Sequence, residues 1–100
     1  MSAPMRKLLT IITEAALERL LVEDIERLGA HGYTVSDARG KGRRGVRSAD
    51  WEESRNIRIE VVCEETVAEA IAAYLEAHYY ADYAMILFMS DVAVLRPEKF

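Results

Sequence analysis

Residues 56–63 read NIRIEVVC, and their alternation decides the fold. Ile57, Ile59, Val61 and Cys63 point one way, while Arg58, Glu60 and Val62 point the other. A period of two marks a strand with one face on a core. The chain then changes period. Thr66-Val67-Ala68-Glu69 has the pattern of a capping box, in which hydroxyl and carboxylate each satisfy an orphan helix amide. The helix it predicts runs to about His78, with Val67, Ala70, Ile71, Tyr74 and Leu75 inward. A turn around Ala81 and Asp82 leads to a strand over 85–89 (MILFM). A last strand or edge segment follows over 91–95 (DVAVL), ended by Pro97.

Toward the N-terminus the same two periods recur. Residues 6–13 (RKLLTIIT) read as a short buried strand, rich in Leu and Ile. Thr13 occupies a helix-cap position. From Glu14, residues Leu17, Leu20, Leu21, Ile25 and Leu28 mark one helix face. Charged residues, Asp24 among them, fall mostly on the wet side. Gly29 and Gly32 end the helix, because glycine tolerates a left-handed stop. Residues 33–37 (YTVSD) form a second short strand, and a loop takes up 38–55. A loop that long, without apolar periodicity, is either functional or disordered.

The order predicts an α+β fold: a ferredoxin-like βαββαβ sandwich with a long loop between strands 2 and 3 and a C-terminal extra strand. With 100 residues, the expectation is a single domain over 1–100, with the loop at about 38–55 flexible. If both helices cover one sheet face, the other is left open. Arg58, Glu60 and Val62 lie there beside alternate residues of 8–12 and 85–89. A half-apolar open face predicts an oligomer of cyclic symmetry.

Composition excludes several classes. Hydrophobic residues are 51% of the chain, too many for wholesale disorder. The longest apolar run is too short to span a bilayer. Residues 1–13 do not read as a secretion signal, and the single cysteine forms no internal disulfide, so the expected compartment is the cytoplasm. A net charge of −4 argues against general nucleic-acid binding. RNA recognition on such a sheet uses aromatics on the third strand, which here reads IRIEVV. There is no Walker motif, dinucleotide fingerprint, metal-ligand spacing or Ser-His-Asp set. His31 and His78 read as structural, and Cys63 as a small buried hydrophobe. The chain is expected not to be an enzyme.

Against this acidic background, residues 39–47 (RGKGRRGVR) hold five positive charges, three glycines and no acid. Such crowding costs repulsion, so folding stability does not explain it. Arginines meet phosphates or carboxylates bidentately. Glycines let the backbone approach an anion and offer amide donors. An anion that neutralises the loop would order it, which makes a switch.

Residues 32–43 (GYTVSDARGKGR) resemble the GxTVxxxxGxGR signature of the PII signalling proteins, where the segment opens the so-called T-loop. Helices and strands follow in PII order over nearly the whole chain. GYTV, GKGxRxVRS and the later Asp82-Tyr83-Ala84 most resemble the PII-like branch linked to carboxysomes and bicarbonate transporters. The resemblance implies a homotrimer with adenine-nucleotide sites in the clefts between subunits. It implies nucleotide contacts by Thr34 and Val35 from the second strand. Gly40, Lys41, Gly42, Arg43, Arg44 and Arg47 would lie at the loop base near the phosphates. Val62 would meet the adenine, and Tyr83, Ala84 and Met85 follow the second helix. The implied ligands are ADP, AMP or cyclic AMP, with bicarbonate as a second signal in some members. Lys41 and Arg58 are the candidates for that second anion. Trp51, near the loop tip, reads either as an anchor for a protein partner, since aromatics dominate hot spots, or as packing back on its own domain. No tightly bound cofactor is implied.

The departures from the pattern are specific. No tyrosine lies between Ala38 and Arg55, so control by uridylylation is not expected. HYYADYAM stands where the family has a GDGK phosphate loop. The C-terminal arginine pair is reduced to Arg96, and Arg44 replaces the glutamine of the 2-oxoglutarate and magnesium site. A shorter phosphate, leaving room for a second anion, fits better than ATP. The expectation is a sensor controlling inorganic carbon uptake or carboxysome function. Its target would be a bicarbonate transporter or a carboxysome-linked protein, the former drawing it to a membrane. The alternatives are a nitrogen- or energy-sensing regulator without bicarbonate response, a module that binds only protein, or a small phosphohydrolase using Asp37, Glu60 or Asp82.

Overall fold

The computed structural model describes residues 3–42, 45–47 and 55–100, with the side chains of 41, 42 and 45–47 left aside. In chain order the elements are β1 (Met5–Glu14), α1 (Glu18–Arg27), β2 (Thr34–Ala38), β3 (Gly40–Gly42), β4 (Gly45–Arg47), β5 (Asn56–Cys63), α2 (Glu65–Tyr79) and β6 (Ile86–Ala93). Among the described residues the main sheet has the order β2-β5-β1-β6, every pair antiparallel. This is the ferredoxin-like α+β arrangement expected from the sequence.

Register sorts the side chains into two faces, because residues directly opposite in an antiparallel pair share a face. Leu9, Ile11, Ile57, Ile59, Val61 and Cys63 are buried together with Leu21 and Ile25 of α1 and Ala68, Ile71 and Leu75 of α2. The other face carries the rows Ser36–Arg58–Ile12–Ile86 and Thr34–Glu60–Thr10–Phe88. Ile86 and Phe88 are 41% and 49% exposed there, so a half-apolar face lies open on one chain. The helices of the described residues are too short or too polar to cross a membrane.

Helix α1 ends as the glycine predicts. The Gly29 amide bonds to Glu26 O at 3.2 Å and the Ala30 amide to Ile25 O at 3.0 Å. Gly29 takes φ 116°, the left-handed stop of a Schellman motif. Gly32 has no such backbone and does not serve as a stop.

Several boundaries differ from expectation. Strand β1 continues through Thr13 and Glu14, which pair with Ile57 and Asn56, so Thr13 is a strand residue and not a cap. A 3-10 turn (Ala15–Leu17) intervenes before α1, and Leu20 stays 52% exposed. Helix α2 starts at Glu65 with Glu64 as its N-cap and no side-chain cap bond, so the Thr66–Glu69 capping box does not form. Cys63 is still paired with Lys7, which leaves only Glu64 to make the turn. Ala68, not Ala70, faces the core. The expected C-terminal extra strand is instead continuous with the preceding one: β6 pairs with β1 along its whole length, from Ile86↔Ile12 to Ala93↔Met5. A 3-10 turn (Pro97–Lys99) follows.

Candidate functional site

The basic segment is attached at one end of the sheet. β1 and β2 finish there, β5 and β6 begin there, and the row Ala38–Asn56–Glu14 closes it. The basic segment leaves from this end directly after β2. It does not run as a featureless loop: β3 and β4 form an antiparallel hairpin with Gly40↔Arg47, Lys41↔Val46 and Gly42↔Gly45. Two contacts hold the returning chain. The Ala15 amide donates to Arg55 O at 2.7 Å, and the Arg55 guanidinium lies 3.9 Å from the Asp37 carboxylate. The segment therefore departs from and returns to adjacent points on the main sheet.

The residues singled out from the sequence fall as follows. Thr34 is exposed on the open face of β2, and Val35 packs against the core from the helix side. Gly40, Lys41, Gly42 and Arg47 belong to the hairpin. Arg43, Arg44 and Trp51 lie outside the described residues. Met85 is buried immediately before β6, at the same end of the sheet as the hairpin, with half-buried Tyr83 and Ala84 just ahead of it. Val62 lies on the open face, in a row that runs through Leu8 to Ser90, well inside β6. The sheet thus gathers Gly40, the hairpin and Met85 at one end and holds Val62 farther along.

Arg58 also lies on the open face, where its Nη2 stands 3.5 Å from Glu60 Oε2. Both are partly exposed, so the pair contributes little to stability. Register puts Glu60 on the open face and Asp37 on the helix face, so these two carboxylates do not converge on one reacting group. No cluster of three or more metal-ligating side chains occurs among the described residues. An open groove of about 520 Å³ between Ala15, Ala16, Arg19, Val22 and Tyr33 includes none of the candidate residues.

The turn between α2 and β6 is shaped by a residue that the sequence did not mark. Tyr79 O accepts from the Asp82 amide at 3.1 Å and the Tyr83 amide at 3.0 Å. The Tyr79 hydroxyl donates to Asp24 Oδ2 at 2.7 Å, and its ring meets that of Tyr83 at 6.0 Å. Burial, followed by the bond to Asp24, pushes the Tyr79 phenol well above its ordinary value, so it remains a donor. Asp24 is held in turn by Arg27 at 3.1 Å, whose guanidinium lies 4.7 Å from the centre of the Tyr74 ring. No local pattern signals a contact between residues so far apart in the chain.

Residues 6–99 match the family model "Nitrogen regulatory protein P-II". The fold is similar to that of a PII-like signalling protein from Thermus thermophilus: 47% identity, 100% of this chain and 99% of that one covered, TM-score 0.86. It is also similar to CPII, a nitrogen regulatory PII-like protein from Thiomonas intermedia bound to ADP, AMP and bicarbonate, with 27% identity, 97% and 94% coverage and a TM-score of 0.87. A second CPII structure, bound to ADP and bicarbonate, has 26% identity, 97% and 95% coverage and a TM-score of 0.87. On the span of the first match and the identity of the second, the chain belongs to the nitrogen regulatory protein P-II family.

Proposed function

We propose that this chain is a regulatory protein whose basic loop is set by an adenine nucleotide, ADP or AMP, with bicarbonate as a second ligand. The observation that carries the reading is the gathering of the glycine-rich basic hairpin, the end of β2 and the turn before β6 at one end of the sheet. A phosphate chain placed there would find glycine-rich backbone amides and the cationic residues of the segment together. CPII, which shares this fold, binds ADP, AMP and bicarbonate. In this reading Thr34, Val35, Gly40, Lys41, Gly42, Arg43, Arg44 and Arg47 hold the nucleotide with Val62, Tyr83, Ala84 and Met85. Lys41 and Arg58 are the candidates for bicarbonate, Arg58 by exchanging Glu60 for it.

The open face of Ile86 and Phe88 supports assembly into a homotrimer, with the ligand in the clefts between subunits. The loop, with Trp51 as an anchor, would then present or withdraw a surface for a protein target. A bicarbonate transporter or a carboxysome-linked protein would make the chain a cytoplasmic regulator of inorganic carbon supply. The nucleotide acts as a signal and is not consumed.

Calorimetric titration with ADP, AMP and cyclic AMP, each with and without bicarbonate, tests the reading. Bicarbonate should tighten nucleotide binding, and nucleotide should tighten bicarbonate by the same factor. Arg47→Ala should weaken nucleotide binding and leave the urea midpoint in place. Binding of nucleotide without any bicarbonate effect removes the carbon link. No binding of any nucleotide refutes the proposal, and nucleotide hydrolysed on prolonged incubation replaces it with an enzyme.

A further inference from the structure

We infer that Tyr79 and Asp24 are positioning residues for the ligand site: a hydroxyl–carboxylate latch between the two helices that fixes the turn carrying Tyr83, Ala84 and Met85. The inference rests on the nucleotide reading for what the turn binds, whereas the latch itself is observed geometry. Tyr79 acts twice. Its carbonyl takes both the Asp82 and the Tyr83 amide, which folds the chain back after α2. Its side chain holds that carbonyl in place, through the 2.7 Å bond to Asp24 Oδ2 on α1 and the ring contact with Tyr83.

The latch is directional. Asp24 engages Arg27 through Oδ1 and Tyr79 through Oδ2, and its side chain is only 14% exposed. A largely buried carboxylate keeps its hydroxyl donor close, because losing it leaves Oδ2 unsatisfied while Arg27 holds only Oδ1. The position of α1 is thereby passed to the turn. Where the family pattern has a GDGK phosphate loop, this chain has HYYADYAM, so it lacks the glycines that let a backbone wrap an anion. Here the turn is instead held by side chains, through Tyr79 and its bond to Asp24. The latch allows a short phosphate to meet a preformed turn without the cost of ordering it first. If the latch is broken, the turn is competent for only part of the time, and apparent affinity falls by that fraction.

Full-length wild type, Tyr79→Phe, Asp24→Ala and Asp24→Asn would be titrated with ADP, and amide exchange followed at Asp82 and Tyr83. Tyr79→Phe should weaken ADP binding about tenfold, the loss expected if the competent turn falls to roughly a tenth of the population. Exchange at Asp82 and Tyr83 should accelerate while the β1 and β5 amides stay protected. Asp24→Ala should act alike, and Asp24→Asn, which keeps an acceptor oxygen, should lose less. A merely structural hydroxyl would lower the urea midpoint and leave ADP affinity untouched among folded molecules. That result overturns the inference, as does unchanged protection at Asp82 and Tyr83. Should one variant fail to fold by circular dichroism, the others decide. If wild type binds no ADP, the nucleotide reading fails and takes the ligand half of this inference with it. The exchange measurements then decide the turn-setting half alone.

Discussion

Gly29→Ala tests the physical account of the helix α1 stop. The residue sits at φ 116°, where a side chain strains against its own carbonyl for roughly 1–2 kcal/mol. Steric crowding adds little: a Cβ built there lies 3.4 Å and 3.6 Å from the two Val67 methyls, ordinary contact. Alanine also stiffens the unfolded chain, which offsets about 0.4–1 kcal/mol. The net is a loss of about 1 kcal/mol, or roughly 4–8 °C in Tm for a chain of this size. Urea unfolding at fixed protein concentration measures it, so that any subunit association contributes equally. Gly32→Ala is the matched control, because nothing lies within 4 Å of its Cβ position and its backbone is not left-handed. That variant should be neutral or slightly stabilised. Gly29→Asn should recover part of the loss, since asparagine tolerates the left-handed region better than alanine. If Gly29→Ala is as stable as Gly32→Ala, backbone strain is not what reserves this position for glycine.

Three further outcomes are expected. Phe88→Asp, which places a charge on the open sheet face, should lower the mass measured by light scattering to that of a single chain with circular dichroism unchanged; an unaltered mass would remove that face from the assembly. Cys63 is 3% exposed, and burial followed by the charge of Glu64 raises its thiol above the ordinary value, so iodoacetamide should label it only after unfolding; equal rates in native and unfolded chains would refute its burial. The Tyr79 phenol is raised above 10.0, so its contribution to stability is fully present below that pH and lost as pH rises through the higher folded value. Tyrosinate absorbance should show one late-ionising group that Tyr79→Phe removes, and the persistence of that late phase would assign it elsewhere.

What the sequence made legible was whatever one element decides by itself. The alternation of NIRIEVVC gave β5 its faces, and Gly29 marked a real stop. What it hid was decided by pairing across the fold. Thr13 resembles a cap because a helix follows, but its pairing with Ile57 keeps it in β1. Ser90 and Asp91 interrupt an apolar run and suggest two strands. β1 nevertheless pairs with both, and Asp91 gains an ion pair with Lys7 at 2.5 Å. Ala68 and Ala70 cannot be ranked by hydrophobicity, so periodicity alone does not settle which alanine of α2 faces inward. The hairpin Gly40–Gly42 with Gly45–Arg47 is glycine-rich, and glycine has low strand propensity, so nothing local announced it. For the site, residue chemistry pointed to the loop, but Tyr79 and Asp24 were invisible because their contact joins distant parts of the chain.

The pairing of Ala38 with Asn56, together with the Ala15–Arg55 bond, has an evolutionary corollary. Both ends of the basic segment are clamped by the sheet before the segment itself makes any contact. Its closure entropy then grows only logarithmically, about 0.6 kcal/mol for each doubling in length. Insertions, deletions and wholesale replacement between the clamps leave the core energetics almost untouched. The segment is in this sense an exchangeable cassette on a fixed chassis, and its sequence can drift in a lineage faster than that of the fold that carries it.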